Sequence, residues 1–347
     1  MALLAGACMG TGNFLYASNF SYLGMPGLGL VGPSGTAICV VIRIVKECRY
    51  HKRTGRWVKE ENSRLLTPEG KLKWGSCVPL IANVLTNFGF LVVLSFGWKL
   101  AKAAGLNQGV IASMISLASI FNIVIMYLKF GEKISPLHFI GIAFSIACVI
   151  CISMAAAQKG GEDSEEYDPD DAFGLEKETA GFVGIVCGII GAMLMSTKHL
   201  FIKMYKKTYS GADLGVDATI FEYGICLFLL IPLLQRDDLE LGAKELTIAF
   251  FAGICMALGR IFISIAVSVG LAAPANSLMN THSLHQAGWS AIVAGQALTF
   301  LQILGLIFGI VGVFSISYFD HLASKIKMQR EMKKAREQEA NQGPAET

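Results

Sequence analysis

Several ionisable side chains stand inside runs of apolar residues, among them Lys198, Glu222, Arg260, His282 and His285. A charge near the centre of a hydrocarbon layer costs at least about 2.5 to 3.5 kcal/mol, so such residues normally face protein or water and mark solute, ion or proton pathways. Lys198 and Arg260 would offer positive charge to an anionic solute, Glu222 would restrain one of them, and the histidines would donate hydrogen bonds or carry protons. His282, His285, Gln286 and Trp289 follow i, i+3, i+4, i+7 spacing, which places them on one helix face with Trp289 as a stacking surface. The competing reading of the three charges is a buried ion pair that fixes helix register. For the histidines it is a helix-to-helix hydrogen bond. A metal centre on Glu222 and the histidines lacks further ligands at fixed spacing, so neither metal nor cofactor is expected.

Helical phase gives an independent indication, because lipid-facing sides are bulky and protein-facing sides small. Lys198 shares its face with Gly184, Cys187 and Gly191; Arg260 with Ala249, Gly253, Ala257 and Ser264; Glu222 with Gly215, Ala218, Thr219 and Cys226. The first half offers amides and hydroxyls instead: Asn13, Asn83, Thr86, Asn87, Ser113, Ser116, Ser119 and Asn122. The expected substrate site therefore combines Lys198, Arg260, Glu222, His282, His285, Gln286 and Trp289 with Asn13 and Asn87. A solute with an anionic end and a polar neutral end suits that set.

The elements that must position these residues are membrane helices. The chain has 347 residues, 53% hydrophobic and only 16% charged, with a mean hydropathy of +0.54, which is the composition of a polytopic membrane protein. Apolar runs predict helices at 1–22, 28–46, 76–98, 107–128 and 136–156, then at 181–205, 214–234, 246–268, 272–293 and 299–320. The stretch GEKISPLHFIG from Gly131 to Gly141 recurs as GQALTFLQILG from Gly295 to Gly305, and the register carries on through Phe144 with Phe308. The expected fold is thus all-α and integral to the membrane, with ten transmembrane helices as two inverted five-helix repeats, 1–156 and 181–320. A basic loop at 47–75, an acidic linker at 157–180 and a basic tail at 321–347 complete the chain. Lys and Arg accumulate at 43–75, 129–133, 203–207 and beyond Lys325, which puts both termini on the cytoplasmic side.

Catalytic motifs are missing: the sequence has no P-loop, HExxH, GxSxG or zinc spacing, and an enzyme is not expected. Gly27, Gly29 and Gly32 spell GxGxxG, but Pro26 and Pro33 bracket them at the mouth of an apolar helix, where a loosened helix start explains them better than a dinucleotide fold. The nine cysteines sit mostly inside apolar runs, against a disulfide framework.

Two five-helix repeats, each with a Gly-Glu or Gly-Gln turn, a following Ser or Thr, a second Gly and a fifth helix, resemble the drug/metabolite transporter superfamily of the EamA type. The segment STKHLFIKMYKK and the span ending near Pro232 distantly resemble the nucleotide-sugar and triose-phosphate translocators. Where the phosphate translocators follow His-Ser with Lys-Arg, His282-Ser283 is followed by Trp289-Ser290. The resemblance implies alternating access by a secondary transporter, often an antiporter, of a small organic and anionic metabolite, with nucleotide sugars favoured. Two alternatives stand: a proton-coupled transporter of amino acids or neutral metabolites, and a non-transporting scaffold or receptor. The expected partners are a small-molecule substrate and the lipid bilayer, with a homodimer left open and no nucleic acid. The expected location is an endomembrane (Golgi, endoplasmic reticulum or vacuole) or the plasma membrane.

Overall fold

A computed structural model describes residues 1–20, 23, 25–55, 57, 65, 71–103, 115–131, 136–160, 174–235, 241–293, 299–301, 303–312, 315 and 329. Among these the chain is predominantly helical, with no extended strand. The helices are α1 (Ala2–Phe20), α2 (Leu28–Thr54), α3 (Trp74–Ala103), α4 (Ala118–Phe130), α5 (Pro136–Gly160), α6 (Lys177–Met204), α7 (Gly211–Phe228), α8 (Leu230–Leu234), α9 (Ala243–Val269), α10 (Ala272–Met279) and α11 (His282–Val293). A last apolar helix, α12, runs over Ile303–Gly312.

Among the described residues, five helices are long and apolar enough to cross a membrane: Met25–Thr54, Trp74–Gly97, Lys177–Met204, Gly211–Leu234 and Ala243–Val269. Leu85, Leu128, Phe182, Phe228, Phe251 and Ile292 stand exposed, a surface that suits lipid and would drive association in water. The chain is therefore an all-α, multi-pass membrane protein.

Several expected boundaries move. α2 continues to Thr54, so the basic stretch expected as loop from residue 47 begins as helix; it ends at Gly55, whose φ of 69° is the left-handed conformation that glycine adopts at no steric cost. The expected helix at 272–293 is divided into α10 and α11 at Asn280-Thr281, within a polar run from Asn276 to Ser283 that bonds to its own turns and to α4 instead of continuing one ladder. Gly131, the opening residue of the repeated motif, caps α4 at φ 64°, its N–H directed at the carbonyls of Met126 and Tyr127. The matching turn at Gly295-Gln296, Glu132, the linker at 161–173 and the tail from 321, apart from residue 329, lie outside the described residues.

Packing between the halves keeps its pattern when the halves are exchanged. α1 lies along α9, as α6 lies along α3; α1 also touches α10 and α11, as α6 touches α4; α2 meets α7. Phe144 and Phe308, paired by the sequence repeat, touch each other with ring centroids 5.7 Å apart. Close backbone approach makes these contacts: a Cβ on Gly259 would lie 2.5 Å from Met9 Cγ, and one on Gly12 2.6 Å from Met256 Cγ. The GxGxxG glycines serve the same end, since Gly29 faces the backbone of Leu230 and Gly32 the carbonyl of Tyr223.

Candidate functional site: a buried charge network

Lys198 on α6, Asn87 on α3, Glu222 on α7 and Arg260 on α9 are 5%, 7%, 1% and 4% exposed. Lys198, Glu222 and Arg260 each stand on the small-residue face of their helix, and with Asn87 four elements bring these side chains to one place. Lys198 Nζ donates to Asn87 Oδ1 at 3.1 Å. Asn87 Nδ2 donates to Glu222 Oε2, and Arg260 Nη1 forms an ion pair with Glu222 Oε1. The guanidinium carbon of Arg260 lies 4.7 Å from the centre of the Tyr223 ring, a cation–π contact strengthened by exclusion of water. Gly35 allows that ring its place, because a Cβ there would overlap it.

The charges do not cancel. Two cations face one carboxylate, and both carboxylate oxygens are already engaged. Among the described residues Lys198 has one hydrogen-bond partner, an amide oxygen, and no ion pair. An ammonium buried on such terms is poorly compensated; with Lys198 protonated, the network as a whole carries one positive charge. Chemically it can attract and hold one anionic group, with Asn87 and Arg260 as further donors. Among the described residues no three His, Cys, Asp or Glu side chains gather as metal ligands.

The other five expected residues sit apart from this network. His282 Nδ1 lies 3.2 Å from Met279 O, and His285 Nδ1 lies 2.8 Å from Thr281 O. Both pack on α1 at Gly10, where a Cβ would stand 2.7 Å from His285 Cβ. Trp289 Nε1 donates to Thr11 Oγ1 at 2.9 Å. Asn13 and Gln286 are half-buried, and none of the network's bonds reaches them.

Sequence reasoning missed two groups. Tyr223 carries an aromatic face one residue after Glu222, a neighbour that helical phase alone does not bring to Arg260. Between the second half of α2 and the acidic start of α7, Arg43 Nη1 reaches Asp213 Oδ1 at 3.1 Å and its Nη2 pairs with Asp217, which also accepts from Tyr209 Oη. Lys46 Nζ lies 2.5 Å from Asp213 Oδ1. The signal was available: Asp213 and Asp217 are spaced i, i+4 at a helix start, and Arg43 and Lys46 close a neighbouring span.

No family model and no curated protein matches the chain. A solved crystal structure of a protein superposes on it with a TM-score of 0.64 over 92% of this chain and 96% of its own, at 13% identity. At that identity the likeness concerns the fold alone: nearly the whole chain follows a helical arrangement seen in another protein.

Proposed function

We propose that the chain is a secondary transporter, of the drug/metabolite transporter type, that carries a small organic anion by alternating access. Ten spans in two inverted repeats, with both termini cytoplasmic, complete the proposal. The observation that carries it is Lys198, an amine buried among four helices whose one hydrogen-bond partner among the described residues is an amide oxygen. Its placement suits the mechanism. Lys198 and Asn87 belong to the packed group α3, α4 and α6, and Arg260 to the group α1, α9, α10 and α11, while Glu222 joins the two. An anion bound there would alter the balance that holds the groups together, which is how a solute biases two arrangements of one bundle. Nucleotide sugars are the favoured class, since they join anionic charge to a hydroxylated ring. A proton-coupled cycle through Glu222 is less well supported, because Arg260 and Asn87 occupy both of its oxygens.

The test is counterflow in liposomes preloaded with nucleotide sugars, organic acids or amino acids. Lys198→Met removes the uncompensated charge and should abolish exchange while the protein remains folded in the membrane. Exchange at the wild-type rate in that variant would refute the anion site, and a wild-type protein that exchanges no solute would favour a scaffold.

A further inference from the structure

Beside Lys198 on α6, His199 turns about 100° away into a second polar cluster at the same depth, displaced by only about 1.5 Å along the axis. Asn122 Nδ2 lies 3.0 Å from His199 Nδ1. Ser119, one turn earlier on α4, receives Asn276 Nδ2 at 3.0 Å, Ser277 Oγ at 3.0 Å and Asn280 Nδ2 at 3.3 Å from α10 and its end. Asn122, His199 and Asn276 are all 0% exposed, yet Asn122 Oδ1, His199 Nε2 and Asn276 Oδ1 have no hydrogen-bond partner among the described residues. With Asn122 donating to Nδ1, His199 carries its proton on Nε2. The cluster thus offers two acceptors and one donor, buried and unused, and such groups are ordinarily satisfied.

We propose that this cluster is a second substrate subsite, which takes the neutral, hydroxyl-bearing part of the anion whose charge is held at Lys198. This rests on the anion reading above. The chemistry is complementary: hydroxyl groups donate to Asn122 Oδ1 and Asn276 Oδ1 and accept from His199 Nε2–H. The cluster also lies across the contact between α4 with α6 and α10, so one ligand would touch both packed groups. A polyhydroxylated monoanion meets both subsites, whereas an alkyl carboxylate of equal length satisfies only the first and leaves three buried polar atoms unpaired.

The experiment compares gluconate with hexanoate, six-carbon monocarboxylates that differ in their hydroxyl groups, by thermal stabilisation of the purified full chain in nanodiscs. The wild-type protein should bind gluconate at least about tenfold more tightly than hexanoate. Asn122→Leu and Asn276→Leu should each lower that preference about tenfold and leave hexanoate affinity within about twofold, while Lys198→Met weakens both ligands. Should the leucine variants fail to fold, Asn122→Ser and Asn276→Ser are read in the same way, with a smaller loss. Equal stabilisation by both anions, stabilisation by neither, or a preference that survives in the asparagine variants overturns the subsite and assigns the cluster to buried water or helix register. Unchanged binding of both anions in Lys198→Met overturns the anion reading instead, so the two failures are distinguishable.

Discussion

Glu222 is the keystone of the buried network, and its removal should cost far more than its single pair suggests. Glu222→Gln leaves Arg260 buried at 4% exposure with a neutral partner and leaves Lys198 without a carboxylate in its neighbourhood. Deleting one member of a buried ion pair costs about 3 to 5 kcal/mol, mostly through the charge left behind. Arg260→Met should cost somewhat less, because Lys198, joined to Glu222 through Asn87, remains to balance the carboxylate, although the contact with Tyr223, about 2 kcal/mol when desolvated, is lost as well. The double variant Glu222→Gln with Arg260→Met removes both charges together and should be more stable than Glu222→Gln alone, with a coupling energy of at least about 2 kcal/mol. Reversible unfolding of the four proteins in lipid, read as a double-mutant cycle, measures that coupling. Additive losses would mean that Arg260 and Glu222 do not act as one unit, and the accounting of charge that singles out Lys198 would fall with them.

Two further outcomes follow from packing and from the polar end of the bundle. Asp217→Asn should destabilise the protein by about 1 to 3 kcal/mol, since Arg43 and Tyr209 both converge on that carboxylate; Arg43→Ala added to it should cost little more, and thermal unfolding of the pair would expose any independence. Gly253→Ala should cost about 1 to 3 kcal/mol, because its Cβ would collide with the backbone carbonyl of Val31, whereas Gly224→Ala has open space and should be neutral or stabilising by up to about 1 kcal/mol. Equal melting temperatures for the two alanine variants would refute the close approach of α9 to α2.

The charged part of the site was legible because buried charge is rare in apolar helices and helical phase is a simple rotation. Lys198, Glu222 and Arg260 each lie on a face of glycine, alanine and cysteine, and those faces do pack inward. The stripe from His282 to Trp289 shows the limit of the same argument. Its spacing is real, but phase cannot tell a cavity from a neighbouring helix, and Gly10 brings α1 close enough for Trp289 to bond to Thr11. The division of 272–293 was hidden for a similar reason: Asn280 and Thr281 are tolerated in a membrane helix by composition, and their bonds to local carbonyls and to Ser119 emerge only from tertiary contacts. Asn87 could be named among many amides, but its place as the bridge between Lys198 and Glu222 depends on which helices are neighbours.

The exchange of first helices has a consequence for how the chain is made. α1 packs on α9, α10 and α11, and Thr11 waits for a partner, Trp289, that lies 278 residues further on. At roughly 5 to 20 residues per second, ribosomal synthesis needs about 15 to 55 s to supply it. During that interval α1 stands in lipid without its final neighbours, and its polar side chains must be satisfied locally, as Asn19 is by the carbonyl of Leu15 at 2.8 Å. α1 is thus locked in place only after α11 has been made, and variants that raise its polarity should lower the yield of assembled protein before they alter its stability once assembled.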